Sequence, residues 1–217
     1  MPGGDVAQLD ITVLARCPLR ITLRCTRVAT EEHVVFKSDE GVKEEKRLTD
    51  FAEVRLELEQ RMEERTSGKK KISREEIQIE IFSPFFIHEL QIIDLPGFNN
   101  ESSTAEEIVD MNLSFMKNED NIILVVKNVT NNFDDEALDL SMRDDVDPEG
   151  ERTIGVITKI DQVTTALEKQ QLSNILSNKT KPLKHGYFGV ANRPTELDDT
   201  KSVRRRSNTN GKKKVGR

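Results

Sequence analysis

Three apolar runs in this sequence each end in a short polar cluster, and this arrangement constrains the fold more than any other feature. The clusters are Asp94-Leu95-Pro96-Gly97 after the run at 90–93, Thr158-Lys159-Ile160-Asp161 after 153–157, and Asn192-Arg193 after 186–191. In an open α/β sheet, ligands bind beyond the carboxyl ends of the parallel strands. A strand with DxxG, a strand with TKxD and a strand with NR, in this order, form the layout of a guanine-nucleotide site.

Strands and helices alternate after residue 90, which indicates βαβ units and a mainly parallel sheet flanked by helices. Strands are predicted at 19–25, 34–36, 77–81, 87–93, 121–126, 153–157 and 186–191. Helices are predicted at 50–62, 104–117, 134–143 and 164–178. The run at 121–126 is apolar almost throughout, so we expect it to be buried on both faces.

The DLPG cluster contains two candidate phosphate-side residues. Asp94, at the end of a strand, could hold a water of Mg²⁺, and Gly97 could offer its backbone N–H to a γ-phosphate. Glycine suits that position because no Cβ then separates the backbone from the phosphate. The alternative is a strand followed by an ordinary Pro-Gly turn.

The two later clusters contain the candidate base-reading residues. The Asp161 carboxylate can accept hydrogen bonds from guanine N1–H and N2–H, and the Lys159 stem can lie along the base. Thr158 precedes them, and Asn192 and Arg193 could contact the base or ribose. The alternatives are an exposed helix start with Asp161 as N-cap, and an ordinary polar turn before Pro194. The order and strand-end placement of all three clusters favour nucleotide binding.

The phosphate-binding loop G-x-x-x-x-G-K-[ST] does not occur in this sequence. The two Gly-Lys pairs, Gly68-Lys69 and Gly211-Lys212, have Glu63 and Arg206 in place of the leading glycine. The sequence therefore predicts a nucleotide site without the backbone cradle that holds the phosphates.

The charge of the chain is unevenly distributed. The net charge is −6, yet residues 203–217 contain seven basic residues and no acidic one. The acidic remainder disfavours nucleic-acid binding, and we interpret the basic tail as a disordered, solvated end, with a nucleic-acid or anionic-membrane arm as the alternative. No stretch resembles a signal peptide and no apolar run approaches 18 residues, so we expect a cytoplasmic protein, peripheral to any membrane it contacts.

Several longer motifs resemble the G domain of the dynamin superfamily of large GTPases. They are ARCPL at 15–19, DF and EVR at 50–55, SP at 83–84, IDLPG at 93–97, VDPEG at 146–150, RTIGVITK at 152–159, GYFGV at 186–190 and NR at 192–193. The resemblance runs from about residue 15 to about residue 202. It divides the chain into an unassigned segment at 1–14, a partial dynamin-type G domain at 15–202 and the basic tail at 203–217.

The resemblance implies a P-loop GTPase-like fold that binds GTP with Mg²⁺. It places Asp94 and Gly97 at the magnesium and γ-phosphate positions, Thr158, Lys159 and Asp161 at the guanine motif, and Asn192 and Arg193 in the base-flanking loop. Such proteins pair through their G domains. Through a helical stalk, absent from this sequence, they assemble on membranes or the cytoskeleton, including microtubules. The implied partners are therefore guanine nucleotide, a second G domain or a complete relative, and no specific nucleic acid.

The sequence also departs from the family pattern. The family's first strand, phosphate loop and first helix would precede residue 15, and Ala15, which has no hydroxyl, stands at the switch threonine. We expect a gap or a substitute in the middle of the sheet, with Asp94, Asp161 and Asn192 at the same end of that sheet. Two interpretations remain open: an incomplete GTPase domain that is inactive or binds weakly, and a non-catalytic module that pairs with complete relatives through residues around 127–137.

Overall fold

The computed structural model describes residues 15–26, 32–38, 44–66, 71–98, 103–129 and 136–191. These residues form strands β1 Leu19–Cys25, β2 His33–Phe36, β3 Lys46–Leu48, β4 Ile77–Ser83, β5 Leu90–Asp94, β6 Ile123–Asn128, β7 Thr153–Thr158 and β8 Tyr187–Gly189. The α-helices are α1 Phe51–Arg65, α2 Ala105–Met116, α3 Glu136–Ser141 and α4 Ala166–Leu176, and a 3₁₀ turn covers Ile160–Gln162.

The first sheet has the strand order β3-β2-β4-β1-β5. β1 runs parallel to β4 and antiparallel to β5, and β2 is antiparallel to both β3 and β4. In this register Ile21 lies beside Ile79 and Ile92, so isoleucines from three adjacent strands share one face. That face carries the first hydrophobic core of the molecule.

Helix α1 covers the apolar face of the first sheet. Its buried apolar residues Val54, Leu58 and Met62 recur every four positions, so they form one stripe along the helix. Asp50 caps the amino end by accepting a hydrogen bond from the Ala52 backbone N–H at 2.8 Å. The helix is therefore fixed by a local cap and by the burial of one face.

The opposite face of the first sheet is a ladder of charged side chains. Arg20 forms a two-pronged contact with Glu76 at 2.6 and 2.9 Å. Arg24 and Lys37 both contact Glu80, at 2.8 and 2.7 Å. Since this face pairs its charges in solvent, it needs no covering layer.

The second sheet is a parallel triplet in the order β6-β7-β8. One face is covered by a second hydrophobic core, in which Ile123 and Val125 of β6 pack with Leu138 of α3 and with Leu183. Gly155 lies on this face beneath the ring of Tyr187, where a Cβ would overlap the aromatic carbons. A glycine in β7 is thus required by close packing with the neighbouring strand.

The other face of the second sheet is apolar and bare. Leu124, Val126 and Phe188 are 55%, 61% and 58% exposed. The register aligns Leu124 with Ile154, Val126 with Val156 and Val156 with Phe188, which makes the face continuous. The prediction that 121–126 is buried on both faces is therefore wrong, because no described element packs on this side.

The sheet is interrupted between β5 and β6. β5 is the last strand of the first sheet and β6 is the first strand of the second, and α2 connects them along the chain. Among the described strands, this boundary between the two sheets agrees with the expected gap in the middle of the sheet. Consequently Asp94 and Asp161 lie on two different sheets, and the expectation that one sheet carries both is wrong for the described residues.

The predicted class, an α/β fold with helices flanking a sheet, is confirmed, whereas the expected mainly parallel pairing is not: three of the six described strand pairs are antiparallel. Each predicted strand and helix has a counterpart, although β5 starts at Leu90 rather than 87 and the short edge strand β3 was not predicted. The first two residues of the predicted helix at 134–143 lie outside the described residues. The whole basic tail at 203–217 also lies outside them. Within the described part, no helix has the length and apolar character to cross a membrane.

Candidate functional site

The carboxyl ends of the three second-sheet strands are joined by backbone hydrogen bonds. The Val190 N–H donates to the Ile157 carbonyl at 2.8 Å, and the Ile160 N–H donates to the Val190 carbonyl at 3.4 Å. The Val129 N–H donates to the Thr158 carbonyl at 3.1 Å. These bonds bring the TKID turn next to the segment that leads into Asn192 and Arg193.

The TKID turn holds its side chains in defined positions. The Thr158 hydroxyl donates to the Lys127 carbonyl at 3.2 Å, which ties the end of β7 to β6. Lys159 has left-handed backbone angles, φ 58° and ψ 32°. A non-glycine residue in this region carries strain of the kind that accumulates at functional sites.

Asp161 is exposed, and no hydrogen bond or ion pair of its carboxylate is found among the described residues. The alternative role as a helix N-cap is contradicted. α4 begins at Ala166, and its cap is Thr165, which accepts a hydrogen bond from the Glu168 N–H in a capping box. The carboxylate is therefore available to a ligand.

Asn192 and Arg193 lie outside the described residues, which end at Ala191 in this region. Their contact with a nucleotide stays a prediction. The hydrogen bonds of Val190 nevertheless fix where the chain approaches them, beside the 3₁₀ turn that contains Asp161.

The DLPG segment leaves the edge strand of the first sheet. Desolvation raises the pKa of the Asp94 carboxyl above its ordinary value, and a hydrogen bond from the Leu95 backbone partly opposes this shift. Pro96 is buried and Gly97 is exposed. A Cβ at Gly97 would meet no described atom within 4 Å, so the described residues leave open space beside its Cα.

The described residues provide few ligands for Mg²⁺. Asp94 is a single carboxylate, and the described parts of the chain contain no group of three His, Cys, Asp or Glu side chains arranged to hold an ion. Ala15 supplies no hydroxyl. Since Mg²⁺ needs octahedral oxygen ligands, usually including substrate phosphates, these residues alone do not fit a magnesium centre.

Asn112 is a residue of this region that the sequence did not single out. It lies on the buried side of α2, is 3% exposed, and donates from Nδ2 to the Pro96 carbonyl at 3.0 Å. The sequence could have revealed Asn112 because it is a polar amide four positions after Ile108, within the apolar stripe of α2.

The VDPEG and RT residues form a structural lock at the opposite end of β7. The buried Asp147 carboxylate accepts from the backbone N–H groups of Glu151 and Arg152 and from the Thr153 hydroxyl, at 2.8, 3.0 and 2.6 Å. Burial opposes ionisation, but these hydrogen bonds outweigh it and lower the pKa of Asp147. The Arg152 guanidinium donates to four backbone carbonyls, those of Met116, Asn118, Asn121 and Val146.

The fold and the loops define an α/β domain whose strand ends carry guanine-nucleotide motifs. Sequence comparison assigns it more closely: the profile of the Dynamin family matches residues 3–160. The chain belongs to the dynamin family, and the predicted resemblance to its G domain is confirmed. The match begins at residue 3, within the segment that the sequence motifs leave unassigned.

Curated relatives support the assignment. The chain is 34% identical to Dynamin-1 of Bos taurus and of Homo sapiens over 208 residues, and 34% identical to Dynamin-2 of Rattus norvegicus over 210 residues. Each alignment covers 93% of this chain and 23% of the relative, so the chain spans under a quarter of their length. A solved structure of an oligomerised bacterial dynamin pair aligns over 83% of this chain and 26% of its own, with a TM-score of 0.49 and 12% identity.

Proposed function

We propose that this chain forms the base-recognition part of a dynamin-type GTP-binding domain, and that these 217 residues by themselves bind guanine nucleotide weakly and do not hydrolyse it. The observation that supports this best is the junction at the carboxyl ends of β6, β7 and β8. There the backbone of Val190 joins the turn carrying Asp161 to the chain entering Asn192-Arg193.

The chemistry of the junction favours guanine over adenine. Asp161 presents two carboxylate oxygens, and guanine offers the matching donor pair N1–H and N2–H. Adenine lacks that pair and forgoes the hydrogen bonds to the carboxylate, and one hydrogen bond to a charged group is worth about 1.5–3 kcal/mol. Lys159 and Asp161 are both exposed beside this turn, so the base can reach them without rearrangement.

Nucleotide binding is expected to be weak because few residues are available to contact the phosphates. Phosphoryl transfer depends on positioned amides, a lysine and Mg²⁺ around the phosphates. In the described residues only Asp94 and the Gly97 amide represent that machinery, and the sequence contains no phosphate loop. When bound, Mg²⁺ would neutralise phosphate charge. Asp94 would hold it only together with ligands that these residues do not supply.

The test is calorimetry of the 217-residue chain with GTP and with ATP. We expect weak binding of GTP and weaker binding of ATP. Replacing Asp161 with Asn exchanges an acceptor for a donor, so Asp161→Asn should lose guanine and prefer a xanthine nucleotide, whose C2 carbonyl accepts a hydrogen bond. Asp120→Asn, at an exposed turn before β6, makes the same charge change away from the site and should leave both affinities unaltered.

Three outcomes would contradict the proposal. Equal affinity for GTP and ATP would show that the Asp161 site does not form. Sub-micromolar GTP binding would show that the phosphate loop is dispensable. Mg²⁺-dependent phosphate release that Asp94→Ala abolishes would show that the chain is a complete catalyst.

A second candidate function is a non-catalytic module that pairs with a complete relative, as the sequence suggested for residues around 127–137. Residues 130–135 of that segment lie outside the described part. The bare apolar face of the second sheet favours this candidate, because parallel sheets are normally covered on both faces. Leu124→Lys should abolish co-elution with a complete dynamin G domain, whereas Leu56→Lys, at an exposed leucine of α1, should not. Absence of co-elution with the native chain would exclude it.

A further inference from the structure

The side-chain amide of Asn112 has a hydrogen-bond partner for its nitrogen and none for its oxygen among the described residues. Its Nδ2 donates to the Pro96 carbonyl at 3.0 Å. Its Oδ1 is buried and finds no hydrogen-bond partner among the described residues. An unpaired buried acceptor destabilises a protein by roughly 1–3 kcal/mol, so packing alone would favour leucine at this position of α2.

The bond from Asn112 fixes the orientation of one peptide unit. The Pro96 carbonyl and the Gly97 N–H belong to the same planar peptide, and in a trans peptide these two groups point in opposite directions. Because Asn112 holds the carbonyl toward α2, the Gly97 N–H is directed away from the helix. Gly97 is exposed, and no described atom lies within 4 Å of where a Cβ would stand, so the described residues leave a ligand room to approach this residue.

We propose that Asn112 is a positioning residue that aims the Gly97 N–H at the γ-phosphate of a bound nucleotide. Gly97 has the conformational freedom to rotate this peptide, and the Asn112 amide removes that freedom. The residue acts through the peptide and touches no ligand itself. This inference rests on the proposed nucleotide site, and it adds a determinant of preference for triphosphate over diphosphate.

The size of the stability effect separates this role from a purely structural one. Asn112→Leu removes one unpaired acceptor, Oδ1, and leaves another, the Pro96 carbonyl, without its donor, so the two effects oppose each other. We therefore expect little change in the urea midpoint of the chain. A residue that served only stability would show its effect there.

The first measurement is the NMR signal of the Gly97 amide in the 217-residue chain without nucleotide. In Asn112→Leu this signal should shift and broaden, because the peptide is no longer held. Asn121→Leu is the matched control, since Asn121 also donates from its side chain to a backbone carbonyl, that of Phe115 at 2.9 Å. The control should leave the Gly97 signal in place. An unaltered Gly97 signal in Asn112→Leu would overturn the proposal.

The second measurement is the ratio of GTP to GDP affinity, followed by NMR titration because binding is expected to be weak. Asn112→Leu should lower GTP affinity roughly tenfold, the scale of one hydrogen bond to a charged group, and leave GDP affinity unchanged. An equal loss for both nucleotides would overturn the γ-phosphate assignment. If the native chain binds neither nucleotide, the proposed function fails, whereas the peptide orientation is still decided by the Gly97 signal.

Discussion

The two sheets of this protein differ in how completely their own sequence covers them. The first sheet alternates apolar and charged positions, so α1 packs on one face and paired charges solvate the other. The second sheet is apolar on both faces, and described elements cover only one of them. The difference shows that the first sheet is patterned for one covering layer and the second for two.

The edge strands of the two sheets also differ in how well they are protected from pairing with another chain. β3, the outer strand of the first sheet beside β2, is three residues long and exposes Lys46 and Arg47, features that protect sheet edges. β5 and β6 are longer, and they expose Leu90, Ile92, Leu124 and Val126 where the sheet is interrupted. The edges at the interruption therefore lack the protection that the outer edge has.

The largest effect is expected where the first sheet meets α1. Leu58 is fully buried, so Leu58→Ala should destabilise the chain by roughly 2–5 kcal/mol through lost burial and a cavity. Leu124→Ala, on the bare face of the second sheet, should change stability by less than about 1 kcal/mol. Urea unfolding followed by circular dichroism measures both. Equal losses would mean that the second-sheet face is covered after all.

The next effect concerns the lock that starts β7. Asp147→Asn should destabilise the second sheet by roughly 1.5–3 kcal/mol, because a carboxylate accepting three hydrogen bonds is replaced by an amide. Hydrogen exchange resolved by residue should show the loss in β6 and β7 but not in β1 and β4. An equal loss of hydrogen-exchange protection in both sheets would contradict the conclusion that they are separate packing units.

The same residue predicts a pH dependence. The folded-state pKa of Asp147 is lowered, so its contribution is present above the ordinary carboxyl pKa of about 3.9. That contribution is lost as the pH falls through the lower folded value. Asp147→Asn should abolish this part of the acid destabilisation in the second sheet. The acid destabilisation of the first sheet should remain, because it comes from Glu57 and Glu80, whose pKa values are also lowered.

A smaller effect is expected on the charged face of the first sheet. Arg20→Gln removes a partly buried two-pronged contact with Glu76 and should destabilise by about 1 kcal/mol. The difference from the native chain in urea unfolding should shrink in high salt, because salt screens such pairs. A loss as large as that of Leu58→Ala would indicate that the charges, rather than α1, hold this sheet.

The smallest effect is at the TKID turn of the second sheet. Lys159→Gly relieves left-handed strain but adds freedom to the unfolded chain, so we expect a net stabilisation of about 0.5 kcal/mol. Thermal unfolding should show the gain. GTP affinity should fall, because glycine has no side chain to lie along the base at the proposed site. A destabilised variant would mean that Lys159 is packed rather than strained.

Sequence patterning determined the elements and the family of this protein. Period-two alternation located β1 and β4, and a four-residue repeat of apolar residues located α1, because these periods follow from backbone geometry. The strand-end motifs predicted that Thr158, Lys159 and Asp161 lie in one turn, and local chain continuity ensures this. The resemblance to the dynamin family was predicted from the VDPEG, RTIGVITK and GYFGV segments, and the family comparison confirmed it.

Tertiary structure alone decided how these parts are arranged. Whether 121–126 is buried on both faces depends on which other segments pack there, and a strand's own sequence does not contain that information. The separation of Asp94 and Asp161 onto two sheets depends on hydrogen bonding between distant strands. The contact between Asn112 and Pro96 joins residues sixteen positions apart across a helix and a loop. Such contacts arise when non-local segments pack together, so only the folded chain reveals them.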